Sequence, residues 1–220
     1  MKVEQDRKGL KVGKNLVCEE LKTKQVLLDS AKKIFLECGY QAAPLRKITA
    51  NAGFTPGALY GYFSSKEELF YALTDPMAEN LMEKLNQVRE EMEAIPKEKR
   101  LYQMGKVYYK HIPSIVELML ADKDGVKLIV DCSKGTKYEG FLDNIAKRNT
   151  ENIGLAADGA RDKGVKTIGE ETMDVLMDGY IRMLFKLILS NKDKETIVQC
   201  MEMIGKIYEE GIIALMQKGE

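Results

Sequence analysis

The sequence predicts an all-α fold, with a three-helix helix-turn-helix head at the amino end and a larger helical body behind it. Three observations predict it. From Lys24 onward, apolar residues recur at steps of three and four, the spacing of a helix face. Capping boxes stand at Ser65-x-x-Glu68 and Thr136-x-x-Glu139, and Gly39 and Gly53 close two apolar-periodic segments. Between Met173 and Leu189 the polar side chains Asp174, Asp178, Arg182 and Lys186 fall four apart, leaving apolar surface around the rest of a helix. With 220 residues there is material for one or two domains, enough to remove roughly 70% of the unfolded surface from water.

Residues 1–22 are polar, carry Gly9 and Gly13, and show no periodicity, so a flexible basic arm or a frayed helix is expected there. Leu27, Ala31, Ile34, Phe35 and Cys38 then mark a first helix, which Gly39 ends. A short second helix is expected from Pro44, with Leu45, Ile48 and Ala52 inward and Gly53 stopping it. Thr55 is the expected cap and Pro56 the first-turn proline of a third helix running through Leu59 to Phe63. Ser65 opens a long fourth helix whose stripe, Leu69, Leu73, Met77, Leu81, Leu85, Val88, Met92 and Ile95, spans about 39 Å at the helical rise. Pro76 is expected to kink it and to serve as a flexing point.

A fifth helix is expected from about Glu98 to His111, with Pro113 breaking or bending its continuation towards Ala121. A short one covers Val126 to Cys132, and the Thr136 capping box is expected to start another that reaches Gly159 to Gly164. The final helix, about Lys194 to Gln217, has its polar stripe at Glu195, Gln199, Glu202, Lys206 and Glu209, with apolar residues around the rest. Two neighbouring helices with surplus apolar surface predict a self-complementary patch and a two-fold homodimer.

Charge and absences narrow the function. The chain is formally neutral, yet residues 1–66 hold 12 Lys/Arg against 6 Asp/Glu and residues 67–220 hold 22 against 28, a basic head on an acidic body. That polarity suggests a polyanionic partner for the head. The first 20 residues are charged throughout, unlike a signal peptide, and the greasiest run, Tyr180 to Leu189, contains Arg182 and Lys186 and is about half the length a bilayer requires. A cytoplasmic protein with reduced thiols is expected, since Cys18, Cys38, Cys132 and Cys200 lie far apart. A single histidine, His111, and the lack of phosphate-loop, dinucleotide and nucleophile-elbow motifs leave enzymatic activity unsupported. Glu90 and Glu93 belong to a solvated helix face. No catalytic residue, metal ligand or cofactor is expected.

Two stretches are recognisable, LLDSAKKIFLECGY and RKITANAGFTPGALYGYFSSKEEL. Together they resemble the DNA-binding head of the tetracycline-repressor (TetR) family, over about residues 24 to 70. The resemblance implies a helix-turn-helix DNA-binding domain over 23–68 behind the arm of 1–22, and a ligand-binding and dimerisation domain over 69–220. It implies a homodimeric transcriptional regulator, a repressor released from a near-palindromic double-stranded DNA operator by a small molecule. The alternative is a helical small-molecule-binding protein without DNA binding.

The expected DNA contacts follow residue by residue. Thr55, Pro56, Gly57 and Ala58 stand at the amino end of the recognition helix, the end that enters the major groove. That helix holds no Lys or Arg, so its base contacts are expected to be small and apolar, such as Thr55 or Ala58 against a thymine methyl. Arg46 is the candidate for a guanine, and Lys47 is either a further contact or merely solvated. Tyr60 and Tyr62 resemble family tyrosines at the backbone or base edges, and Lys66 the family's phosphate-binding lysine. Ala43 and Pro44 depart from the capping Thr or Ser usual before the second helix, a loss of about 1 kcal/mol that the fixed φ of Pro44 partly offsets. For the effector, Met104, Tyr108, His111, Met119, Phe141, Met177 and Tyr180 are pliable or amphipathic residues on central helices and form the candidate pocket.

Overall fold

In a computed structural model the backbone is described for residues 2–162 and 164–217, and side chains for 19–162 and 164–216. Among these residues there are nine helices and no strand. They are α1 (Lys2–Ala42), α2 (Leu45–Asn51), α3 (Pro56–Leu59), α4 (Lys66–Glu93), α5 (Lys97–Ala121), α6 (Lys123–Asp131), α7 (Phe141–Arg161), α8 (Glu170–Ile188) and α9 (Lys194–Gln217).

Local chemistry sets the elements of the head. Leu27, Ala31, Ile34 and Phe35 of α1 are fully or almost fully buried, as their spacing requires. At Gly39 the backbone takes φ 77°, ψ 164°, outside the helical region, and breaks α1 there. Directly after it the Tyr40 N–H donates to the Cys132 carbonyl at 2.8 Å, fastening the end of α1 to the end of α6. Pro44 precedes α2 with φ −85° and gives no side-chain cap. Across the core of the head, the buried Ser30 hydroxyl donates to the Ile48 carbonyl at 2.7 Å and accepts from Asn51 Nδ2 at 3.0 Å, joining α1 to α2.

Four expectations are corrected. The third helix does not run to Phe63: α3 ends at Leu59, and three-residue turns close it as Gly61 N–H donates to the Ala58 carbonyl and Tyr62 N–H to that of Leu59. Glycine at 61 removes the propensity that would have prolonged the helix. The Thr136 capping box does not open a helix either. The Thr136 hydroxyl donates to the Ser133 carbonyl, the Glu139 carboxylate accepts from Gly135 N–H, and positive φ at Gly135 and Gly140 makes this a looped segment, so α7 starts at Phe141. Pro113 does not break α5, just as α4 continues past Pro76; the lost hydrogen bond at each is outweighed by the buried faces on either side. Of the two expectations for segment 1–22, a flexible basic arm or a frayed helix, the backbone favours the helix: it is helical from Lys2 and continuous with α1. Its residues are largely good helix formers, which dilute the cost of Gly9 and Gly13. DNA contacts by the side chains of residues 1–18 lie outside the described residues.

Helix α4 belongs to both halves. Ser65 caps it by accepting from Glu68 N–H at 3.0 Å, while the Glu68 carboxylate reaches back to Ser64, taking its N–H and hydroxyl at 2.6 Å. Leu69 and Phe70 are buried in the head, whereas Leu81, Val88 and Met92 are buried in the body. Phe70 meets the rings of Phe35 and Tyr40, each at 5.1 Å and edge-on. A row of rings continues through Tyr71 to Tyr138 (5.9 Å) and Phe141 (5.8 Å) at the start of α7. Lys137 lies over the Tyr71 and Tyr138 rings at 4.3 and 5.1 Å and pairs with Asp75 at 2.8 Å, and the Tyr138 hydroxyl donates to Asp75 at 2.7 Å. In the body, α7 packs between α5 and α8, and α9 lies chiefly on α5. None of the described helices is long and apolar enough to cross a membrane.

Removing the Phe70 ring empties the point where head and body meet. Phe70→Ala is expected to lower the unfolding free energy by about 3–5 kcal/mol, measured by urea denaturation; a loss below about 1 kcal/mol would show that the ring is not part of a continuous core.

Candidate functional site

The head exposes a compact set of residues on a buried support. Leu59 and Phe63 are at most 1% exposed and anchor α3 and its following turn in the apolar core, with α3 packed on α2. Thr55 caps α3, its hydroxyl accepting from Ala58 N–H at 3.3 Å, which leaves its methyl outward; Thr55, Pro56 and Gly57 are exposed and Ala58 is half-buried. Arg46 is exposed on α2. Lys47 is exposed too, but pairs with Glu37 at 2.9 Å, and each holds the other's charge: the pair raises the lysine pKa and lowers that of the carboxylate. Tyr60 is 56% exposed, while Tyr62 is half-buried against the core. Lys66 is half-buried, donating to the Gln41 carbonyl at 3.2 Å with its ammonium 4.7 Å from the Tyr40 ring centre; burial lowers its pKa.

The body contains two small cavities that share a wall. One, of about 50 Å³, is lined by Met104, Gly105 and Tyr109 of α5, Ile153 of α7, Met177 of α8, and Gly205, Tyr208, Glu209 and Ile212 of α9. The other, of about 80 Å³, is almost wholly apolar and is lined by Leu81 and Leu85 of α4, Ile112 and Met119 of α5, Ile145 of α7, and Ile181, Leu184 and Phe185 of α8, among others. Tyr108, Asn149 and Tyr180 line both. The Tyr108 hydroxyl donates to Asn149 Oδ1 at 3.2 Å and accepts from Asn152 Nδ2 at 3.3 Å, and Asn149 Nδ2 donates to the Ile145 carbonyl. Asn152 is 4% exposed and its Oδ1 has no partner.

Of the seven residues expected in the pocket, Met104, Tyr108, Met119, Met177 and Tyr180 line these cavities. Two do not. His111 turns towards α4, its Nε2 2.8 Å from Glu91 Oε2, and Phe141 is buried against the Tyr138 ring below the cavities. The sequence reading missed Tyr109, Asn149, Tyr208 and Glu209. The spacing puts Glu209 on the polar stripe of α9, yet its carboxylate folds onto α5 and accepts from the Tyr109 hydroxyl at 2.7 Å. The available signal was a pair of glycines inside helices: Gly105, where a Cβ would lie 2.1 Å from Glu209 Oε2, and Gly205, where one would lie 3.0 Å from the Tyr109 ring.

Comparison with known proteins bears on the head. The family described as "Bacterial regulatory proteins, tetR family" matches residues 27–73, the stretch that holds α2, α3 and the start of α4. Residues 27–73 thus carry a TetR-type DNA-binding head. The TetR-type head is 37% identical over 60 residues to the transcriptional repressor AcnR of Corynebacterium diphtheriae, covering 27% of this chain and 32% of AcnR. It is 38% identical over 61 residues to the transcriptional activator FasR of Mycolicibacterium smegmatis, covering 28% of each chain. The aligned region thus spans about a third or less of these relatives' length, and they are regulators rather than enzymes. Likeness of fold extends further: a crystal structure of the transcriptional regulator FadR from Bacillus subtilis in complex with stearoyl-CoA superposes with a TM-score of 0.52 at 18% identity, covering 86% of this chain and 98% of that one.

Burial raises the pKa of Tyr109, Tyr138 and Tyr180; the carboxylate of Glu209 adds to it at Tyr109, that of Asp75 at Tyr138, and neighbouring tyrosines at Tyr180. The folded state therefore holds these protons more tightly than the unfolded chain, whose phenols ionise near pH 10. Their contribution to stability is complete below about pH 10 and declines as the pH climbs past it. The urea midpoint is expected to fall between about pH 9 and 11, with the phenolate absorbance of these residues appearing together with unfolding rather than before it.

Proposed function

We propose that the protein is a homodimeric DNA-binding transcriptional regulator, a repressor that leaves a near-palindromic operator when a small molecule enters the body. One observation carries the reading: on a TetR-type head, the exposed start of α3 (Thr55, Pro56, Gly57) lies beside exposed Arg46 and Tyr60 on a fully buried apolar support. The capped, one-turn α3 presents its amino end outward, suited to a groove edge or phosphate. In this reading Arg46 reads a guanine and Thr55 or Ala58 packs on a thymine methyl. Lys66, Tyr60 and Tyr62 hold the backbone, and Lys47 contributes less because Glu37 already pairs with it.

The dimer reading is supported by where apolar surface stays uncovered. Among the described residues, five of the nine large exposed apolar side chains lie on α8 and α9: Val175, Met183, Met203, Ile207 and Leu215. They surround glycines at four-residue spacing, Val175 and Met183 about Gly179, and Ile207 and Leu215 about Gly211, which let a second helix approach closely. Effector control is supported by α4, which gives Phe70 to the head and, about 16 and 22 Å further along the same helix, Leu81 and Leu85 to the larger cavity. A ligand that displaces Leu81 and Leu85 moves the head, at a coupling of about 1–3 kcal/mol. Repression is the activity named for AcnR, and the bound stearoyl-CoA of FadR is a small molecule held by this fold.

Selection from a random DNA pool is expected to return a near-palindrome with half-sites about one helical turn apart. Arg46→Ala is expected to relax a single base pair at about 1–3 kcal/mol, whereas Lys66→Ala weakens all sequences alike. No enrichment at all would sink the regulator reading. Separately, Met203→Glu combined with Ile207→Glu is expected to sediment as a monomer and to lose about 100-fold or more in affinity for the two-half-site DNA; a dimer that survives both charges has its interface elsewhere.

A further inference from the structure

We propose that the smaller cavity takes the head of a lipophilic organic cation, with the cation's apolar extension directed into the larger cavity. The inference rests on the reading that the body holds an effector, and it names the effector's chemical class. Four tyrosines, Tyr108, Tyr109, Tyr180 and Tyr208, and one carboxylate, Glu209, line a space of about 50 Å³. The electron-rich faces of aromatic rings attract ammonium groups, and ring cages are a recurring solution for quaternary ones. The Tyr180 and Tyr208 rings stand 4.8 Å apart, inclined by 48°.

The carboxylate is built into this cage. Gly105 leaves the room it occupies, and the Tyr109 hydroxyl, donating at 2.7 Å, fixes its direction. Tyr109 in turn stands where Gly205 leaves room for its ring. The pKa of Tyr109 is raised by burial and by the Glu209 charge, so the hydroxyl remains a donor. Among the described residues, no Lys, Arg or His lines either cavity. Among the described residues, the half-buried Glu209 carboxylate has the neutral Tyr109 hydroxyl as its hydrogen-bond partner, and a bound cation would supply a counter-charge.

The same feature disfavours an anionic ligand head, which would face Glu209 at close range. Lys147 and Arg161, the side chains suited to an anion, line a separate cleft together with Glu151, Glu170 and Asp174. Beyond the cage, the adjoining cavity is lined by Leu, Ile, Met and Phe side chains from four or more helices, with Asn149 as the polar group at the shared wall. The site therefore suits a compact positive head joined to an apolar tail. The two linings meet at Tyr108, Asn149 and Tyr180, with Glu209 on the side of the smaller cavity and Leu81 and Leu85 of α4 on the side of the larger.

Isothermal titration of the full chain with octyltrimethylammonium, octan-1-ol and octanoate, which share one tail, tests this directly. The cation is expected to bind about tenfold or more tightly than octanoate. Glu209→Gln, which keeps the shape and an acceptor for Tyr109, is expected to weaken the cation about tenfold while octan-1-ol stays within about twofold. Gly105→Ala, which expels the carboxylate without removing it, is expected to give the same selective loss and covers the case in which Glu209→Gln misfolds. Octanoate binding as tightly as the cation, an unchanged cation affinity in a folded Glu209→Gln protein, or no binding by any of the three overturns the proposal. Operator release is read separately. Cation binding without release supports the site but sinks the effector reading, whereas release by octanoate and not by the cation keeps the effector reading and overturns the cation site.

Discussion

The packing of Phe70 is the contact on which the architecture turns. Its side chain is inaccessible to solvent, wedged edge-on between Phe35 and Tyr40 of α1, yet it grows from the helix whose later turns form the wall of the body. Aromatic contacts of this kind add about 0.5–1.5 kcal/mol beyond the area they bury. They also prefer a narrow set of orientations, so α4 is held at a defined angle to α1. The row of rings onward to Tyr138 and Phe141, with Lys137 and Asp75 at its side, links that angle to the start of α7. The wall of the cavities and the base of the head are thus parts of one close-packed object, and close-packed objects pass on displacement instead of absorbing it.

Polar groups inside the body show where that object is least settled. The Tyr108 hydroxyl and the Asn149 and Asn152 amides form a short chain of long hydrogen bonds among Met, Ile and Leu side chains, and one amide oxygen is left without a partner. An unsatisfied buried polar atom costs about 1–3 kcal/mol. A core selected for stability alone would replace these residues with apolar ones of similar volume. Their presence at or beside the wall shared by the two small cavities fits a site that trades stability for recognition.

Legibility followed the range of the interactions. The head could be read because its signals are local: glycine at 53, a threonine cap before Pro56, a serine cap before Lys66 and a one-sided apolar pattern on α1. The looped 133–140 segment was misread because Thr136 and Glu139 have capping-box spacing, while the flanking positive-φ glycines that decide the matter carry no periodicity. The lining of the body's cavities was only half legible. Periodicity tells which residues of α5, α7, α8 and α9 are amphipathic, but not the rotation of one helix against another. His111 therefore fell on α4 instead of a cavity, and Glu209, spaced like a solvated residue, turned inward because Gly105 on a neighbouring helix makes room.

The bond from Tyr40 N–H to the Cys132 carbonyl has a kinetic and entropic meaning. With α4 as one attachment and this junction as another, the head is a crank seated in two bearings and not a weight on a tether. Two attachments restrict the distribution of the head's orientations more than one would, so a partner that docks on it forfeits less rotational freedom. Any partner that loosens the second bearing would broaden that distribution and make association slower as well as weaker.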